Sequence, residues 1–308
     1  MLTLTEDDVK QLAPVESVID ALAAAFTRDF AHTLHMPVRS SVPLPHGGVL
    51  LVMPAYDNAL GVAGIKTVTV TKPRGVDAHY DLLDAASGAV LARMEANWLT
   101  DLRTAATSAL ATRLLARDDA QTLGIFGTGR QAEGHIAVLP RVRRFTRILV
   151  CGTDPGKTRE FCRAASEREG LDVEPANAEI CIRHSDVVCT CTTSQVPVFN
   201  GRWIRPGTHL NLVGAFQSES REVDDETIMR SRVVVDTYAG SLAEAGDLLI
   251  PLSKGIIQKS HIVADLHEVG SGQKQVREGR DDITLFKSVG CALEDLVTAK
   301  VIYERARP

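Results

Sequence analysis

Hydrophobic and polar residues follow two different periods along this chain. Residues 1–30 read as a turn and an amphipathic helix over 14–30. Short runs with period-two alternation follow, predicting strands at 35–42, 48–54, 62–71, 79–83 and 89–94. Asp84-Ala-Ala-Ser-Gly88 reads as the turn between the last two, and no helical spacing intervenes. Thr100 is the expected N-cap of a helix reaching about Arg117, with Leu102, Ala106, Leu110 and Leu114 on one face. From Gln121 the period changes to strand–helix alternation, with strands expected near 122–126, 147–151, 186–191, 209–214 and 232–236. A last helix is expected over 289–305. The switch near residue 115 predicts two domains, 1–114 joined by the C-terminal helix 291–308, and 115–290.

The second pattern begins with the most informative stretch, Thr122-Leu-Gly-Ile-Phe-Gly-Thr-Gly-Arg-Gln-Ala132. Apolar residues run into Gly127-x-Gly129-x-x-Ala132, and a helix follows from Arg130. Gly127 allows a sharp turn, Gly129 lets backbone N–H groups approach a pyrophosphate, and Ala132 lets the helix pack close to the strand. The helix N-terminus adds partial positive charge. With Arg147-Ile-Leu-Val-Cys151 as the next strand, this predicts a βαβ dinucleotide site. The expected fold class is α/β: a Rossmann dinucleotide-binding domain plus a smaller α+β domain.

Composition narrows the partners. The chain has 308 residues and a net charge of −5, with its basic residues scattered, so neither nucleic acid nor a membrane surface is an expected partner. No apolar run approaches the ~18 residues of a membrane span, and no secretory leader is evident. The six cysteines form no CxxC pair and lie mostly in apolar runs, which fits buried thiols in a reducing cytoplasm. Cys189-Thr-Cys191 falls short of the ~4 ligands of structural zinc, and no metal is expected.

Lys66 stands in Val62-Ala-Gly-Ile-Lys-Thr-Val-Thr-Val70, on the face of Val62, Val68 and Val70. A lysine there is costly unless paired or functional. Desolvation lowers its pKa and suits it to proton donation; the alternative is an edge-strand lysine reaching water. Arg103 and Thr104 fall in the first turn of the helix expected after Thr100, where an arginine opposes the helix dipole unless an anion sits nearby. Arg39 is a second arginine in an otherwise apolar strand. Two arginines fit a carboxylate, and surface ion pairs are the alternative. After the strand ending at Cys151 come Gly152-Thr-Asp-Pro-Gly-Lys157. NAD-specific sites usually place an acid at this strand end for the ribose. Gly152 leaves room for a 2′-phosphate, with Thr153 as donor and Lys157 as nearby cation. NADPH is therefore the expected cofactor, with NADH usable, and Asp154 is the alternative ribose partner.

Together these residues resemble the ornithine cyclodeaminase/mu-crystallin family over nearly the whole chain. The matching pieces are Met36-Pro-Val-Arg39, Met53-Pro54, Gly64-Ile-Lys66, Leu99-Thr-Asp-Leu-Arg-Thr-Ala-Ala106, Gly127-Thr-Gly-Arg-Gln-Ala132 with His135, and Arg205-Pro-Gly-Thr-His209. The most specific is Asp282-Ile-Thr-Leu-Phe-Lys-Ser-Val-Gly290 followed by Glu294-Asp295. The resemblance implies a substrate and dimerisation domain, a Rossmann domain, an active site in the cleft and a homodimer. It implies that Arg39 and Arg103 hold a substrate carboxylate and that Lys66 transfers the proton. It also implies that Thr104, Thr128, Arg130, Gln131, Thr153, Thr190, Val213 and Ser288 line the cofactor.

One departure separates the family's branches. Ornithine cyclodeaminases resemble one another in Gly-x-Asp-x-Pro-Gly-Lys-x-Glu-Leu, whose aspartate is the acid–base group. Here the stretch is Gly214-Ala-Phe-Gln-Ser-Glu-Ser-Arg-Glu-Val223, and Phe216 cannot move protons. Phe216 offers instead a dry wall for a ring. With Gly152, this looks more like the family's cyclic-imine (ketimine) reductases. The expected reaction is NAD(P)H-dependent reduction of Δ1-pyrroline-2-carboxylate to L-proline, with Δ1-piperideine-2-carboxylate to L-pipecolate as the second. Ornithine cyclodeaminase, an alanine-type dehydrogenase and a non-catalytic NADPH-binding mu-crystallin-like protein are the alternatives.

Overall fold

A computed structural model describes residues 1–72 and 74–307. Pro308, the end of the expected segment 291–308, lies outside the described residues. The chain forms two compact units, Met1–Thr107 with Gly290–Pro308, and Ser108–Val289.

The first unit contains β1 (Leu2–Leu4), α1 (Glu6–Leu12), α2 (Val15–Phe26), α3 (Phe30–Thr33), β2 (Leu34–His35), β3 (Ser40–Leu44), β4 (Gly48–Asp57), β5 (Val62–Thr71), β6 (Gly75–Asp84) and β7 (Val90–Glu95). Its described strands form a seven-stranded sheet in the order β1-β7-β6-β5-β4-β2, with β3 also paired to β4. All neighbours are antiparallel except β1 and β7. β5 is rich in β-branched residues, and its inner positions Val62, Gly64, Lys66 and Val68 are buried while those between are not. One row of the sheet aligns Met53, Lys66, Tyr80 and Met94 across β4 to β7. Gly64 is required by close approach: a Cβ there would run into the Tyr80 hydroxyl and ring. The C-terminal helix, Ala292–Ala306, packs on α2, β4 and β5.

Three expectations for this unit change. The helix expected over 14–30 stops at Phe26, and β1 and α1 precede it. The strand expected over 35–42 is broken at 36–39, where Pro37 has no N–H to continue a ladder. The helix expected from Thr100 is α4 (Asn97–Leu115), which starts a turn earlier. Thr100 is not its N-cap; its hydroxyl donates to the Ala96 carbonyl at 2.8 Å. Every residue of α4 from 101 to 112 is buried, and Leu114, expected on the buried face, is 37% exposed. The boundary between the units falls inside α4.

The second unit contains β8 (Thr122–Phe126), α5 (Arg130–Val138), β9 (Arg147–Cys151), α6 (Pro155–Glu169), β10 (Val173–Pro175), α7 (Ala178–His184), β11 (Val187–Thr190), β12 (His209–Leu212), α8 (Asp225–Arg230), β13 (Ser231–Val235), α9 (Tyr238–Glu244), α10 (Gly246–Ser253), β14 (Ile262–Asp265), α11 (Leu266–Gly270) and β15 (Ile283–Lys287). Its described strands form an all-parallel eight-stranded sheet in the order β10-β9-β8-β11-β12-β15-β13-β14. Successive strands leave β8 in one direction and resume at β11 in the other. The Gly127 turn ends β8, at the crevice where such sheets bind ligands. β10, β14 and β15 go beyond the five strands expected here. β15 is buried throughout yet carries Thr284 and Lys287, so it does not read as an apolar run. Among the described residues no helix is long and apolar enough to cross a membrane.

Candidate functional site

In the first unit, four charged side chains meet in the interior. Lys66, 1% exposed, donates from Nζ to Asp295 Oδ1 at 2.7 Å. Arg103 donates from Nη1 to Glu294 Oε2 at 2.5 Å, and its Nε lies 3.0 Å from the same Asp295 Oδ1. Both carboxylates are fully buried in the first turn of the C-terminal helix, whose dipole favours negative charge. Two cations facing two anions is what makes burial of all four tolerable. The charge balance is uneven at each atom. Burial pulls the Lys66 ammonium down to about 8 and Arg103 adds to this, while Asp295 and Glu294 oppose it. Burial would lower the Arg103 guanidinium too, but Asp295 and Glu294 hold it above its ordinary value. Tyr80 is pushed up by burial and by Asp295.

Arg103 sits well inside α4 rather than in its first turn, so the helix dipole does not explain it. The two acids of the C-terminal helix do. Gly290 makes room for the guanidinium: its φ is +83°, and a Cβ would meet Arg103 Nη1 at 2.5 Å. Arg39 lies half-buried on the connection 36–39, not inside an apolar strand; β3, which follows, is mostly exposed. Thr104 is buried, and its hydroxyl donates to the Thr100 carbonyl at 2.7 Å.

In the second unit, Gly127 has φ +116°, and a Cβ would meet the Cys191 carbonyl oxygen at 2.5 Å. Gly129 is the N-cap of α5 and makes no side-chain capping bond. A Cβ on Gly129 would meet nothing within 4 Å. By contrast α6, α7 and α8 are capped by Asp154, Asn177 and Asp224. Open space in front of a helix without a side-chain cap fits a dinucleotide pyrophosphate. Ala132 is fully buried, Thr128 and Gln131 half-buried, and Arg130 exposed.

The loop after β9 brings a correction. Thr153 and Lys157 are exposed, as a phosphate contact needs. Asp154 caps α6, its Oδ1 accepting from the Gly156 and Lys157 N–H groups at 2.8 and 3.0 Å, and these bonds hold it below the usual carboxylate range. The space at Gly152 is already filled: a Cβ there would collide with Thr158 Oγ1 and lie 2.9 Å from the Thr128 methyl. The room expected at Gly152 is therefore not at its own α-carbon.

Thr190 and Ser288 are both buried and turn their hydroxyl protons inward, to Glu222 Oε2 at 2.7 Å and Asp236 Oδ2 at 3.3 Å. The Val213 N–H donates to the Thr190 carbonyl. Phe216 is 37% exposed on the segment after β12. A buried set absent from the expected site residues holds these loops. Glu222 accepts from the Thr190 hydroxyl, the Thr192 hydroxyl and N–H, and the Gly214 N–H. Burial and Asp247 push its pKa up. Asp247 in turn accepts from the Glu222 N–H and pairs with Lys287 at 3.0 Å, which donates to the Ala215 carbonyl. The hints of Asp295 in the sequence are two adjacent acids opening the last helix and their place in the family-like stretch that ends in Glu294-Asp295.

One unit carries a parallel sheet with a glycine turn at its switch point and the other a buried lysine–arginine–dicarboxylate cluster, features of a dinucleotide-binding α/β protein. The chain belongs to the ornithine cyclodeaminase/mu-crystallin family, whose sequence model matches residues 1–308. It is 33% identical over 315 residues to a Δ1-pyrroline-2-carboxylate reductase of Bacillus cereus, covering 99% of this chain and 97% of that protein. Its fold matches the Δ1-pyrroline-2-carboxylate reductase of Thermococcus litoralis, solved with NADH and L-proline. The TM-score is 0.96 at 37% identity, covering 99% of this chain and 97% of the other. An archaeal alanine dehydrogenase dimer with bound NAD matches with TM-score 0.93 at 31% identity, covering 99% and 96%.

Proposed function

We propose that the protein is an NAD(P)H-dependent reductase of small cyclic imino acids, acting on Δ1-pyrroline-2-carboxylate to form L-proline, with Δ1-piperideine-2-carboxylate as second substrate. The observation that carries this reading is Lys66, buried with Arg103 against one carboxylate, its pKa drawn down by burial to about 8. The Bacillus and Thermococcus relatives, both pyrroline-2-carboxylate reductases, support it. Arg39 and Arg103 hold the substrate carboxylate. Lys66 gives its proton to the ring nitrogen, which becomes the amine of the product. A cation beside the imine would otherwise lower the nitrogen's basicity, so Lys66 must donate rather than only sit nearby. A dinucleotide held there would supply the hydride that the imine carbon takes up. Orientation makes the encounter unimolecular. Phe216, where cyclodeaminases carry an aspartate, supplies no proton for cyclisation and offers an apolar surface to a ring. Arg130, Gln131 and the Gly127–Gly129 turn would hold the dinucleotide phosphates, and the protein works as a homodimer, as its alanine dehydrogenase relative does.

The test is NADPH consumption, followed by absorbance, across five- and six-membered cyclic imino acids, pyruvate with ammonia or methylamine, and ornithine. Fastest turnover with pyruvate and ammonia would favour the alanine dehydrogenase reading, which that relative makes the second choice. Ammonia release from ornithine would favour cyclodeamination. Tight NADPH binding without turnover would favour a binding protein.

The lysine's lowered pKa sets a pH dependence. Lys66 must be protonated to donate, and it loses its proton through about pH 8 rather than 10.5. Imine reduction is expected to be level below that point and to fall about tenfold per pH unit above it. A kcat profile level to pH 10 would exclude Lys66 as the acid.

Cofactor choice gives another test. Thr153 and Lys157 favour a 2′-phosphate, so NADPH is expected to be preferred in kcat/KM, with NADH usable. Gly152→Asp alone should weaken both cofactors, because its Cβ meets Thr158. Adding Thr158→Ala removes that hydroxyl and leaves the Thr128 methyl, 2.9 Å from the new Cβ, to give way; the new carboxylate then repels the 2′-phosphate, so the pair should favour NADH. Equal cofactor preference in wild type and double variant would refute this account of the loop.

A further inference from the structure

Asp295 has no part in the steps above, yet one of its oxygens joins the two cations that do. Its Oδ1 accepts from Lys66 Nζ at 2.7 Å and lies 3.0 Å from Arg103 Nε. Its Oδ2 is buried and has no hydrogen-bond partner among the described residues, so its charge is directed at these two groups. We propose that Asp295 is the positioning residue of this site, one carboxylate oxygen tying the proton-donating lysine to the carboxylate-binding arginine and fixing where the ammonium points. This rests on Lys66 being the acid.

The surroundings show why a tether is needed. A lysine side chain is a flexible four-carbon stem with a point charge at its end, and nothing in it fixes a direction. In the register of the sheet Lys66 lies between Met53 on β4 and Tyr80 on β6, and Met53 offers no charge. Tyr80 is held un-ionised by burial and Asp295. From α4, Arg103 repels the ammonium; from the C-terminal helix, Glu294 and Asp295 attract it, and Asp295 bonds it. Glu294 bonds Arg103 at Nη1. Two like charges are thus held close by a shared counter-charge, and an error of about 1 Å in such placement costs roughly 10²-fold in rate. Asp295 also favours the protonated form of Lys66, so the acid is charged when substrate arrives.

The experiment uses the holoenzyme with NADPH and Δ1-pyrroline-2-carboxylate, measuring kcat and KM against pH and NADPH affinity by fluorescence. Asp295→Asn should move the alkaline limb of kcat down by about one to three pH units, the range for losing a neighbouring opposite charge. Asp295→Glu keeps the charge, so the limb should stay while kcat falls by about tenfold or more, because the longer side chain displaces the ammonium. NADPH affinity should be unchanged in both. A limb unmoved in Asp295→Asn, or wild-type kcat in Asp295→Glu, overturns the proposal. Should Asp295→Asn fail to fold, Asp295→Glu decides on kcat alone. Lys66→Ala separates the two levels. If it leaves the limb in place, the reading of Lys66 fails and takes the proposal with it. If it abolishes the limb while the Asp295 variants behave as wild type, only the proposal fails.

Discussion

Lys66→Ala is expected to lower imine turnover by roughly 10²-fold or more, the scale for losing a general acid, with NADPH binding unchanged. The candidate pyrophosphate seat at Gly127 and Gly129 belongs to a different unit, with its own sheet. The substitution also leaves Asp295 paired with Arg103, 3.0 Å away, so the fold is not asked to bury a bare carboxylate. Turnover and NADPH fluorescence titration should therefore separate cleanly. Unchanged turnover would remove Lys66 from the mechanism. A loss of turnover matched by a loss of NADPH affinity would point to a general disturbance instead.

For Arg103→Ala the larger part of the effect should appear in stability. Arg103 is 6% exposed and faces two fully buried carboxylates. Its removal leaves Glu294 and Asp295 with Lys66 as the remaining cation of the cluster. Breaking such a buried pair by deleting one partner costs about 3–5 kcal/mol. Denaturant unfolding should show that loss without ligand present. In whatever fraction folds, substrate binding should weaken by a further ~2–5 kcal/mol, for one side of a charge-assisted pair. Arg103→Lys keeps the charge but not the planar fork, and should recover part of each. Pairing Arg103→Ala with Glu294→Gln should regain stability but not KM. Wild-type stability and KM in Arg103→Ala would refute both roles.

Local pattern determined a good deal about this protein. The face of β5 that carries Lys66 follows from period-two alternation, and the structure buries that face. The turn at Gly127 and the opening of α5 follow from residues within one loop, because a positive φ and a helix start are set by near neighbours. The change of period after residue 115 marks where strand–helix alternation begins. Contacts between distant parts of the chain decided the rest. Lys66 and Asp295 are 229 residues apart, and the arginine that shares that carboxylate starts no helix and caps none. The start of α4 is not legible locally because Thr100 has the chemistry of a cap but is used inside the first turn. β15 does not read as a strand because Lys287 is out of place in a buried strand until Asp247 is brought to it. Gly152 looked like empty space, and only the fold brings Thr158 and Thr128 against it. Periodicity and turn chemistry act over a few bonds and are written in neighbouring residues. Charge compensation and close packing act through space, so only the tertiary structure chooses which lysine meets which acid.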